Sequence, residues 1–142
     1  MDRSRLLLAT PALLAGLLLL GGAALLPGEP AQAALPLVAT FLDVGQGDAI
    51  WVRTPEGLDL LVDGGPSTDG RVRDYLLAHG CADVELMLLT HPHADHVTGL
   101  VPVLEGMPVH EVWYSGQPYS STIYSRFLGL VSAGGIPSRT VR

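Results

Sequence analysis

Thr90-His91-Pro92-His93-Ala94-Asp95-His96-Val97-Thr98-Gly99 is the stretch that decides how the chain is read. Three of the chain's five histidines lie in it, with Asp95 beside the last of them. It follows an apolar run, Val84-Glu85-Leu86-Met87-Leu88-Leu89, which reads as a buried strand. A group of nitrogen and oxygen donors is thus expected at the end of a rigid element. His91 and His93 are two residues apart, so in an extended segment both imidazoles point to one side. Pro92 fixes its own φ and keeps His91 out of the α region. A helix starting near Ala94 would then make Asp95 and His96 diverge. One pair would grip one cation and the other pair a second cation ~4 Å away, a spacing that lets two ions hold both oxygens of a displacement. Neutral imidazole with carboxylate suits two divalent ions, zinc first, with manganese or iron as alternatives.

Upstream, three short apolar segments alternate with turns. Leu37 to Asp43 reads as a strand, Gly45-Gln46-Gly47 as its turn, and Asp48 to Thr54 as the returning strand. Pro55-Glu56-Gly57 is a second turn, before a strand from Leu58 to Asp63. Together they form a meander. Ala49-Ile50-Trp51-Val52 and Leu60-Leu61-Val62 show little polar alternation, the pattern of strands covered on both faces. Asp43 and Asp48 flank the glycine turn and are read as turn residues, with Asp43 facing the site as the alternative. Asp63 ends the third strand, placed to orient a ligand histidine or a bound water.

Ser67-Thr68-Asp69 is expected to cap a helix from Arg71 to His79, with Val72, Tyr75, Leu76 and Leu77 inward and Gly80 ending it. His79 reads as structural. Downstream, the helix from Ala94 should break near Gly99. Pro102 would open another short helix that ends at Gly106. Val109 to Tyr114 reads as a strand on which His110 is structural or exposed. Ser121 to Ala133 reads as a helix stopped by Gly134-Gly135, and Arg139 to Arg142 as the start of a strand. Cys81 is the only cysteine, so no internal disulfide forms, and it reads as a small buried residue.

At His91, His93, Asp95 and His96 the sequence resembles the metallo-β-lactamase superfamily, whose signature is H-x-H-x-D-H. Phe41-Leu42-Asp43-Val44-Gly45-Gln46-Gly47-Asp48-Ala49 and Leu60-Leu61-Val62-Asp63-Gly64-Gly65 resemble the hydrolase domain of the DNA-uptake channel protein ComEC and its free-standing relatives. The resemblance runs from about Leu37 to the C-terminus. It implies an α/β fold, a metallo-β-lactamase-like αββα sandwich. It also implies a metal-dependent hydrolase in which metal-bound hydroxide attacks the substrate. Metal ligands would be His91, His93, Asp95 and His96, with Asp95 also holding the hydroxide and shuttling the proton. Asp63 matches an aspartate the family places at this strand end. The ComEC likeness favours a phosphodiester or nucleic-acid substrate, including DNA. The motif also serves ester, thioester and lactam hydrolysis.

The superfamily draws a third histidine, a bridging aspartate and a last histidine from later segments. No histidine follows His110 here and no aspartate follows Asp95. Residues 37–142 are therefore expected to form only the first αβ half of the sandwich, truncated at the C-terminus. One sheet face would stay open, and the isolated chain would be poorly stable and inactive. An inactive scaffold or metal-binding fragment is the alternative from another class.

Residues 1–33 read as a signal peptide or membrane anchor. Arg3 and Arg5 precede an uncharged, leucine-rich stretch over 6–28, and Ala31-Gln32-Ala33 fits a cleavage site. Residues 34–36 are a linker. The remainder is expected to be exported, extracellular or periplasmic, either free or held to the membrane by 6–28. No protein partner is expected. The 142 residues suffice for one domain. The net charge of −6, from 14 acidic and 8 basic residues, gives no broad cationic surface for a phosphate backbone. Cations or a further part of the protein would have to supply that charge.

Overall fold

The computed structural model describes residues 35–141. The signal or anchor assigned to residues 1–33 lies outside them. No helix among the described residues is long and apolar enough to cross a membrane.

Six strands form one sheet in sequential order: β1 Val38–Phe41, β2 Ile50–Arg53, β3 Asp59–Val62, β4 Leu86–Leu89, β5 Val112–Tyr114 and β6 Ser138–Thr140. The first three make the expected antiparallel meander, with Phe41 opposite Ile50 and Ile50 opposite Val62. From β3 onward the strands run parallel, and parallel neighbours need crossover connections. These are α1 Arg71–Ala78, then α2 Ala94–Val97 with α3 Leu100–Gly106, then α4 Thr122–Ala133. This is a mixed α/β fold, a six-stranded sheet with four helices among the described residues.

Strand register sorts the side chains into two faces. Trp51, Leu61, Met87 and Val112 lie side by side and are buried with Val72 and Leu76 of α1 and Phe127 and Val131 of α4. Leu61, Met87, Val112 and Phe127 are almost wholly removed from water, and each contributes about 1.5–3 kcal/mol by burial. The opposite face carries Phe41, Ile50, Val62, Leu88 and Trp113 in one row. Phe41 is 75% exposed and the other four are only half-buried. The low alternation in β2 and β3 was expected to mean cover on both faces. Apolar residues do line both, but among the described residues helices cover only one.

Several local readings shift. Gly70 at φ 82° precedes α1, and no side chain caps its first turn. Asp69 instead grips Arg71 through backbone and side chain. Leu77 points outward at 48% exposure. Pro102 is the third residue of α3, not its first. Ser121, read as the first helical residue, instead caps α4, its hydroxyl accepting from the Tyr124 N–H. At the end of the sheet where β4 begins, Asp59 accepts from Trp51 Nε1 at 2.8 Å and from Arg53 Nε at 2.8 Å and Nη2 at 2.7 Å. His79 is structural: its ring stacks on Tyr75 with centroids 3.9 Å apart.

Candidate metal centre

The donor cluster sits just past the C-terminal ends of β3 and β4, the end at which parallel sheets collect ligands. Asp63 directly follows β3 and has φ 57°, the only positive φ of a non-glycine among the described residues. Aspartate tolerates this region better than most residues, and such strain gathers at functional positions. The conformation turns a carboxylate that is 1% exposed toward the segment leaving β4. Asp63 Oδ1 accepts from the Thr90 N–H at 2.9 Å, and Oδ2 from Thr90 Oγ1 at 2.6 Å. Oδ2 also lies 2.9 Å from Nδ1 of His96.

These contacts fix two imidazoles. The Asp63 carboxylate only accepts, so in neutral His96 the proton sits on Nδ1 and the Nε2 lone pair is free. Thr90 spends its single hydroxyl proton on Asp63. It must therefore accept from Nδ1 of His91, 3.0 Å away, which leaves the His91 Nε2 lone pair free as well. The bond from Nδ1 determines which nitrogen a metal can take. Asp63 was expected to orient a histidine or a bound water; directly and through Thr90 it holds two imidazoles. Thr90 had no assigned role, because a hydroxyl beside a histidine reads as ordinary strand-end chemistry.

His91, Pro92 and His93 link β4 to α2, and His93 is extended at φ −69° and ψ 151°. The His91 and His93 rings come together, centroids 4.7 Å apart, while His91 and His96 are 3.9 Å apart. Asp95 and His96 were expected to diverge. Instead Asp95 Oδ2 lies 3.8 Å from His96 Nε2. Asp95 thus lies beside His96 and His91 beside His93, with His91 also next to His96, so the two pairs are neighbours. Tyr119, on the polar loop after β5, places its ring 5.2 Å from His93.

A backbone contact makes this assembly possible. Gly64 donates to the His96 carbonyl at 2.8 Å. A Cβ on Gly99 would fall well inside contact distance of the Gly64 carbonyl. The Gly64-Gly65 pair after β3 and Gly99 after α2 thus let the two site-bearing segments touch.

The glycine turn between β1 and β2 also reaches the cluster. Gln46 Nε2 donates to Asp95 Oδ2 at 3.3 Å, and Asp48 Oδ2 lies 3.7 Å from His96 Nδ1. Asp43 behaves as the turn residue expected, accepting from the Gly45 N–H at 3.2 Å. Asp48 borders the site as well as the turn. Burial pushes the Asp95 carboxyl up, but the Gln46 hydrogen bond, its own backbone N–H and the nearby His96 and His91 outweigh that, and the net shift is below the usual 3.8.

Asp63, His91 and His96 each bring a donor atom within 4.8 Å of the other two. Both Asp63 oxygens already hold hydrogen bonds, so it suits orienting these histidines better than binding a cation itself. The donors that fit zinc, manganese or iron are His91, His93, His96 and Asp95. A separate trio, Asp83, Glu85 and His110, gathers where β4 and β5 begin. There His110 Nε2 pairs with Asp83 at 2.8 Å on the exposed surface, which agrees with its expected role.

The profile of the metallo-beta-lactamase superfamily matches residues 42–126, more than half of the chain. The protein belongs to that superfamily. Similar solved structures include metallo-beta-lactamase SMB-1 bound to 2-mercaptoethanesulfonate, at 26% identity over 53% of this chain and 29% of that one, TM-score 0.45. The Rm3 metallo-beta-lactamase is 19% identical over 73% of this chain and 42% of that one, TM-score 0.49. A diphosphatase of the PhnP family is 22% identical over 67% of this chain and 37% of that one, TM-score 0.42. The chain spans between 29% and 42% of the lengths of these structures. No curated protein matches it.

Proposed function

We propose that the chain carries the metal-binding part of an exported, metal-dependent hydrolase whose substrate is a phosphodiester of the nucleic-acid type. The observation that supports this most is the hydrogen-bonded chain from Asp63 through Thr90 to His91, with its second branch to His96. It leaves two Nε2 lone pairs free beside His93 and Asp95. Two divalent cations held there would supply Lewis-acid activation of water and of the electrophile. His91, His93 and His96 would bind them. Asp95, kept ionised by its lowered pKa, would serve as a ligand and move a proton at its carboxylate oxygen. Asp63 and Thr90 would keep the ring protons on the far side of the imidazoles.

The D-V-G-Q-G-D-A stretch, similar to the ComEC hydrolase domain, supports the phosphodiester. The net charge of −6 repels such a substrate, so the cations would also provide its attraction. The basic start and the uncharged stretch over 6–28 support export.

The test is to load the protein with zinc, manganese or cobalt and assay it on a chromogenic phosphodiester and a chromogenic lactam. Phosphodiester turnover that is lost on chelation and in His91→Ala supports the proposal. Turnover of the lactam alone replaces its substrate. A second reading, a metal-binding scaffold without activity, is favoured by one observation: the donor atoms that lie within 4.8 Å of one another here come from Asp63, His91 and His96, without His93 or Asp95. Retained metal without turnover of either substrate selects it.

A further inference from the structure

The turn Gly45-Gln46-Gly47-Asp48 makes two approaches to Asp95 and a third contact to the loop after Asp63. Gln46 donates its side-chain N–H to Asp95 Oδ2. Gly47 lies so close to the Asp95 carbonyl that a Cβ there would overlap it. Asp48 accepts the Gly65 N–H at 2.9 Å through its carbonyl, tying the turn to the loop that follows Asp63. Gly45 and Gly47 hold φ of 82° and 79°, values that favour glycine. The turn is therefore pressed against the first residues of α2 by a backbone that no other residue type fits easily.

Asp95 needs such support. It sits on a helix of four residues, and its side chain is 29% exposed. Among the described residues Gln46 is the only side chain that hydrogen-bonds its carboxylate. Left alone, the carboxylate would sample several rotamers, and fixing one of them on binding a cation costs affinity. A neutral amide can hold one carboxylate oxygen without cancelling its charge, as a lysine or arginine at the same place would do. The oxygen it holds, Oδ2, is the one that lies 3.8 Å from His96 Nε2, and it keeps a further lone pair for a cation.

We infer that Gln46 is a positioning residue for Asp95, holding its carboxylate in the orientation that receives a divalent cation. The inference rests on the metal-centre reading above. Outer hydrogen-bond partners of this kind typically set metal affinity by roughly 10–100-fold.

The test measures cobalt and zinc affinity of the full chain by competition with a chromogenic chelator, together with the cobalt visible spectrum. The variants are Gln46→Met, which keeps length and flexibility but removes the donor, Gly47→Ala, which pushes the turn off Asp95, and Asp95→Asn. Gln46→Met should weaken cation binding by about tenfold or more and change the cobalt spectrum. The metal-free unfolding midpoint should stay that of the wild type, which a merely structural role would not predict. Gly47→Ala should weaken binding in the same direction. Wild-type affinity and spectrum in Gln46→Met, with binding lost in Asp95→Asn, would overturn the role of Gln46 and leave the metal centre standing. A wild-type chain that binds neither cation would overturn both.

Discussion

Thr90 Oγ1 stands 2.6 Å from Asp63 Oδ2 and 3.0 Å from Nδ1 of His91, a link between the end of β3 and the first residue of the histidine cluster. The two strands that bring these residues together are in parallel register, Val62 beside Leu88. A strand pairing therefore sets where His91 and His96 are held. Because Thr90 has one proton to give, its hydrogen bonds have a direction. The carboxylate accepts, the hydroxyl passes, and the imidazole donates.

That direction makes the link testable. Thr90→Val keeps the shape and removes the hydroxyl, so His91 loses the partner that fixes its Nδ1 proton. Cation affinity should fall by roughly 10–100-fold. Asp63→Asn should be at least as damaging, because an amide can donate toward Nδ1 and favour the wrong tautomer of His96. Competition with a chromogenic chelator measures both. Wild-type affinity in Thr90→Val would remove the hydroxyl from the site.

Much of this could be read from the sequence, for reasons that are local. The apolar run before Thr90 and the H-x-H-x-D-H spacing are contiguous, and Pro92 restricts its neighbour whatever the tertiary fold. The meander was legible because turns rich in glycine and proline punctuate it. What escaped depends on distant partners. Gln46 meets Asp95 across 49 positions, and no periodicity reports that. The Ser67-Thr68-Asp69 cap failed because Asp69 is taken by Arg71 while Gly70 adopts a positive φ. Leu77 fits the apolar pattern of α1 but falls on the side away from the sheet.

Asp59 supplies a pH-dependent contribution at the other end of the sheet. Burial pushes its carboxyl up, but hydrogen bonds from Arg53 and Trp51 outweigh that and hold it below the usual 3.8. A depressed folded value means the contribution is present above the unfolded pKa and is lost as pH falls through the folded one. Stability should therefore be insensitive to this group near neutrality and decline below pH 3.8. Asp59→Asn should flatten that decline. Arg53→Met should cost about 1.5–3 kcal/mol at neutral pH, since it removes charged hydrogen bonds from a buried acceptor. Urea unfolding at neutral and acid pH reads both effects, and an unchanged acid profile in Asp59→Asn would reject the assignment.

The two sheet faces should answer differently to substitution. Leu61→Ala empties a site that is wholly buried between the sheet and the helices, and should cost about 2–5 kcal/mol. Phe41 lies on the open face at 75% exposure. Phe41→Ser should change stability by no more than about 0.5 kcal/mol while lowering the binding of a hydrophobic dye and the tendency to associate. Denaturant titration with dye fluorescence separates these outcomes. A large loss of stability in Phe41→Ser would show that something covers that face in solution.

Cys81 gives the final prediction, in the alkaline range. Its side chain is buried, and its Sγ lies 3.1 Å from the Asp83 carbonyl. Burial, reinforced by the nearby Asp59 carboxylate, pushes the thiol from 9.0 up to about 12. The folded state therefore holds this proton more tightly than the unfolded chain. The resulting stability is complete below 9.0 and is lost as pH rises toward the folded value. The slope in that window should approach about 1.4 kcal/mol per pH unit for one proton. All eight basic residues are arginine, so no lysine titration obscures it. Tyr124 is raised above 10.0, which makes the interval from pH 9 to 10 the cleanest. Cys81→Ala should lose some stability at neutral pH and show a flatter profile through that interval. A wild-type slope in Cys81→Ala, measured by urea midpoint, would assign the alkaline loss to another group.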